Sequence, residues 1–84
     1  MNRSVAEYVT NLLRELLENR HMYFDKNLTL NSEGRKILNK VIATLLQNNF
    51  EHRKLLEKVR REPTIENIVK LAELVSESIS TSIQ

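Results

Sequence analysis

Two histidines, His21 and His52, are the only imidazoles in the 84-residue chain, and thirty-one positions separate them. A helical metal site needs ligands three or four residues apart, and a calcium loop needs several Asp or Asn residues around a glycine. Neither His opens a His-Glu-x-x-His motif, no pair of Glu-x-x-His motifs is present, and the single Asp, Asp25, has no acidic neighbours. Phosphate-cradling loops need several glycines so that backbone amides approach the anion, and only Gly34 is available. With no Cys there is no thiolate nucleophile, redox pair or disulfide framework. The expectation is therefore a non-enzymatic protein without metal or cofactor, its two His solvated or capping.

The residues that carry a usable signal are cations. Over residues 35 to 61, Arg35, Lys36, Lys40, Arg53, Lys54, Lys58, Arg60 and Arg61 face only Glu51 and Glu57, a net +6 in a chain whose total is +2. Residues 64 to 84 reverse the sign, with Lys70 against Glu66, Glu73 and Glu77. On a helix, Lys54, Lys58 and Arg61 fall four and three apart, one stripe opposite Leu55, Leu56 and Val59. Such a stripe suits sequence-independent contact with nucleic-acid phosphates. Its plainer reading is a solvated face with intrahelical pairs to Glu51 and Glu57. The candidate nucleic-acid set is Lys36, Lys40, Arg53, Lys54, Lys58, Arg60 and Arg61.

A second candidate surface is apolar. Met22, Tyr23, Phe24, Leu28 and Leu30 sit in a segment with neither helical nor strand periodicity, and Met and aromatic residues are enriched at interface cores. They either meet a partner or pack over the open end of the fold. Asn27-Leu28-Thr29 fits a glycosylation acceptor, which has no meaning without secretion.

One Gly and one Pro leave little turn chemistry for a β architecture, whereas 13 Leu at helical spacing point to an all-α fold. The expected form is one domain over residues 1–84, a small bundle of three to four helices with short connections. The first helix, about 4–21, starts at a Ser4/Glu7 capping box and buries Val5, Val9, Leu12, Leu13, Leu16 and Leu17, with Tyr8 at the core edge. The second, about 32–47, is capped by Asn31 or Ser32 and buries Ile37, Leu38, Val41, Ile42, Leu45 and Leu46. Gly34 in its first turn costs about 1 kcal/mol relative to Ala. A third, about 49–61, is either continuous with it or separated at Asn48-Asn49, with Asn48 and Glu51 as a new capping box. Pro63 and Thr64 then open the last helix, about 64–79, whose stripe runs from Ile65 to Ile79 before a Ser-rich end that frays. No apolar run exceeds three residues and no signal-peptide pattern opens the chain, so the expected location is cytoplasmic, away from any membrane.

Three functional readings follow. The first is an accessory or adaptor subunit that docks on a larger protein subunit of a nucleic-acid-handling complex, for example a DNA polymerase or other replication assembly, with the basic helix near DNA or RNA. The second is a free-standing helix-turn-helix regulator, against which the turn lacks its usual Gly. The third is a homodimeric interaction module with no nucleic acid.

Overall fold

The computed structural model describes the backbone of residues 2–83 and the side chains of residues 2–77. Five helices, α1 (Arg3–Glu18), α2 (Arg20–Tyr23), α3 (Ser32–Gln47), α4 (Arg53–Arg61) and α5 (Ile65–Ile83), make up the fold, one more than the largest expected number. Among the described residues no strand forms, only two isolated bridges, Phe24 with Leu30 and Thr29 with Thr64. None of the described helices is long and apolar enough to cross a membrane.

The extra helix comes from Asn19. Its φ of −118° and ψ of 48° leave helical geometry, and its side-chain amide donates to the Glu15 carbonyl, closing α1 three residues before the expected end. Short polar side chains compete with helical backbone bonds in this way. The start also differs from expectation: Asn2, not Ser4, is the cap, its Oδ1 accepting from the Val5 amide at 2.9 Å. Glu7 pairs with Arg3 at 2.9 Å instead of reaching back to Ser4.

α1 packs on α5 and α3, burying Ala6, Val9, Leu13 and Leu16 against Leu38, Val41, Leu45, Ile68, Leu71 and Val75. The i, i+3, i+4 spacing of each set places it on one side of its helix, so burial follows directly from the sequence. The hydroxyl of Thr10 is buried in α1 without a hydrogen-bond partner. Tyr8 lies at the edge, 48% exposed.

α3 forms over the expected span, capped by Asn31, whose Oδ1 accepts from the Gly34 amide at 2.9 Å. It ends at Asn48, and Asn49 takes a φ of 57°, a left-handed conformation that Asn tolerates better than most residues. The chain therefore breaks here instead of continuing as one helix. Asn48 closes α3 by donating to the Thr44 carbonyl at 2.7 Å, so it does not cap the next helix. α4 begins only at Arg53, with His52 in the cap position and no side-chain capping bond, and buries Leu56 and Val59. Phe50, in the connection, is buried as well.

At the α4–α5 corner Pro63 is buried and Thr64 Oγ1 accepts from the Asn67 amide at 3.3 Å, as its expected capping role requires. Asn67, itself buried, donates its side-chain amide to the Glu62 carbonyl at 2.8 Å. α5 continues to Ile83, four residues past the expected end. The expected burial of Ile79 falls outside the described side chains.

Candidate nucleic-acid interface

α4 is nine residues long, about 13.5 Å at roughly 1.5 Å per residue, and carries five cations. Leu56 and Val59 are buried and Leu55 is half-buried, so these three face inward. Arg53, Lys54, Glu57, Lys58, Arg60 and Arg61 are all exposed. At roughly 100° per residue these six span an arc of about 160°, close to half the helix circumference. Among the described residues none of the five cations forms an ion pair or side-chain hydrogen bond; the three pairs are Arg3–Glu7, Lys36–Glu33 and Lys70–Glu66. The intrahelical pairing of the plainer sequence reading is thus not made. Because α4 starts at Arg53, Glu51 stands outside the helix and has no helical register with the cations.

The other two predicted basic residues lie on α3. Lys36 and Lys40 are exposed and one turn apart, and Lys36 is held to Glu33 at 3.2 Å. α4 also lacks acidic residues in its first turn, where Arg53 and Lys54 meet the positive end of the helix dipole, while Lys58, Arg60 and Arg61 suit its negative end. Beside it, Leu55 and the α5 residues Lys70, Glu73, Leu74 and Glu77 line a shallow groove of about 400 Å³. Carboxylates therefore flank α4 on α5, which sharpens the charge contrast between neighbouring helices.

The predicted apolar surface divides. Phe24 and Leu30 are 8% and 2% exposed and belong to the core, joined through their bridge. They cannot meet a partner without unfolding the segment, so they close the end of the bundle instead. Tyr23 is half-buried, its hydroxyl donating to Glu15 at 3.1 Å. That bond, helped by partial burial and the nearby carboxylates of Glu15 and Glu33, holds the phenol pKa above its usual value. Met22 and Leu28 remain outside, 54% and 57% exposed.

The segment is built tightly. Asp25 Oδ1 accepts from the amides of Asn27 and Thr29, and Leu28 sits at a φ of 60°. The Leu30 amide donates to the Pro63 carbonyl and the Ile65 amide to the Leu28 carbonyl, tying residues 28–30 to the α4–α5 corner. Asn31 does most of the joining: beyond capping α3, its amide donates to the Tyr23 carbonyl and its Nδ2 to the Met22 carbonyl, both at 2.8 Å. The sequence reading found Asn31 as a cap but missed these two contacts, because they depend on residues eight and nine positions earlier.

Both histidines are exposed; His21 lies on α2, and the His52 ring stands edge-on to Phe50 at 5.5 Å. Among the described residues no three His, Asp or Glu side chains group to hold a metal ion. In comparisons with known proteins the chain matches no family model, no curated protein and no solved structure.

Proposed function

We propose that this protein is a non-enzymatic accessory subunit that docks on a larger nucleic-acid-handling protein and holds DNA or RNA through the outer face of α4. The observation that carries the reading is the set of five exposed cations on one short helix, with Glu57 as the helix's one acidic residue and none of the five cations in an ion pair among the described residues. Counterion release on phosphate contact turns such a set into affinity, whereas an isolated protein gains nothing from like charges held together. Of the predicted apolar set, Met22 and Leu28 stay exposed for protein docking.

The test is binding of a fluorescently labelled oligonucleotide at several salt concentrations from about 0.05 to 0.2 M. With three to five phosphate contacts the log–log slope is about −3 to −4.5, and the triple variant Lys54→Glu/Lys58→Glu/Arg61→Glu loses binding while keeping its helical content. Absence of binding at about 0.05 M salt overturns the reading. A helix-turn-helix regulator is the second reading, favoured by Asn49, which supplies the positive φ that a Gly usually gives the turn. It requires a strong preference for one sequence over unrelated competitor, which the first reading does not.

A further inference from the structure

Resting on the reading of α4 as a nucleic-acid interface, we infer that its ligand is duplex DNA, with α4 seated in the major groove and its cations divided between the two strands.

The division follows from the register of the helix. Taking Leu56 as origin, at roughly 100° per residue Arg53 and Arg60 fall at about 40–60° and Lys54, Lys58 and Arg61 at about 140–200°, with Glu57 between them at about 100°. The cations form two ridges about 120° apart, not one stripe, and the carboxylate stands at the crest. A helix with side chains is about 10–12 Å across and the B-form major groove about 12 Å wide, so a helix lying in it has a phosphate row on each flank and base edges ahead. Cations on both flanks meet both rows. A carboxylate at the crest points away from either row, toward the groove floor where cytosine presents an amino donor. On a flat phosphate surface the same carboxylate would stand nearest the anions and oppose binding.

Single strands demand something this face lacks. Their binders combine a basic groove with aromatic platforms for base stacking. The α4 face is convex and carries no aromatic residue. Elsewhere Phe24 and Phe50 are buried, Tyr23 is tied to Glu15, the exposed Tyr8 belongs to α1, and the ring nearest α4, His52, stands edge-on to Phe50 and offers no row of platforms. Duplex RNA fits no better, because its major groove is deep and narrow.

The deciding experiment titrates the full chain with a labelled 20-base-pair (about two turns) DNA duplex, with either of its strands alone, and with the RNA duplex of the same sequence. The DNA duplex is expected to bind at least about 10-fold more tightly than the others at one salt concentration. Lys58→Ala and Arg60→Ala, one from each ridge, should each lower the salt slope on duplex DNA by about one, and together by about two. Equal or tighter binding of single strand or RNA overturns the duplex-DNA assignment and leaves the interface reading standing. A slope unchanged by Arg60→Ala overturns the two-ridge placement. Failure of all three nucleic acids to bind removes the interface reading itself, and the assignment with it.

Discussion

The segment from Met22 to Asn31 and helix α4 differ in what their polar groups do. In the segment the backbone and side chains answer one another: Asn31 makes four hydrogen bonds, the Asp25 carboxylate accepts two, and Tyr23 reaches Glu15. In α4 five cationic side chains point outward with no ion-pair or side-chain hydrogen-bond partner among the described residues. Groups satisfied within the chain stabilise architecture, and groups left for solvent are free to meet a ligand. If that contrast is right, truncation in the first region lowers stability, whereas truncation in the second leaves it level or raises it.

The largest effect is expected at Phe24. It is 8% exposed and packs in the core, and removing such a ring costs about 3–5 kcal/mol through lost burial and the cavity left behind. A domain of this size has a total stability of about 4–13 kcal/mol, so Phe24→Ala should bring urea unfolding close to zero denaturant or abolish the cooperative transition. Met22→Ala, at a residue 54% exposed, should shift the midpoint little. Equal, small shifts for both would show that Phe24 is surface after all, and would return the whole segment to the interface.

Gly34→Ala comes next. On propensity alone the change favours α3 by about 1 kcal/mol. An added Cβ, however, would stand 2.6 Å from Leu30 Cδ2 and 2.8 Å from the Tyr23 carbonyl oxygen, the same oxygen that accepts from Asn31. The backbone oxygen cannot rotate aside, so overpacking wins and the net loss should be about 1–3 kcal/mol, read as a fall in thermal midpoint of several degrees. A rise in the midpoint would show that the clasp on α3 yields readily.

Gly34 also marks the limit of what the sequence disclosed. As a residue it reads only as a poor helix former; its use appears once Tyr23 and Leu30 are seen to lie against α3. α3 itself was legible in its span, since its cap at Asn31 and the buried stripe Leu38, Val41, Ile42, Leu45 agree, but the expected continuation of that stripe to Leu46 fails, for Leu46 is 42% exposed. The Ser4 start was misread because Asn2 and Ser4 are both good caps and nothing local chooses between them. The end at Asn19 was missed because a second turn of helix follows at once, so the apolar pattern barely changes. For α4 the spacing of Lys54, Lys58 and Arg61 gave the basic stripe. That Glu51 does not pair with it was not legible, because the position of Glu51 depends on where the helix starts.

The smallest effect is the one whose sign matters most. Lys54 is the second residue of α4, where a positive charge opposes the helix dipole by about 0.3–1 kcal/mol, and it stands four residues before Lys58, a like-charge pair that costs a further few tenths. Alanine removes both penalties and is the best helix former. Lys54→Ala should therefore stabilise the free protein by about 0.5–1 kcal/mol while weakening its hold on nucleic acid, and calorimetry with a parallel binding titration would read both. Gain and loss together indicate a charge retained for a ligand against the interest of the fold. A loss of stability instead would mean that Lys54 is engaged within the molecule, and the contrast between α4 and the hydrogen-bonded segment would fail at that residue.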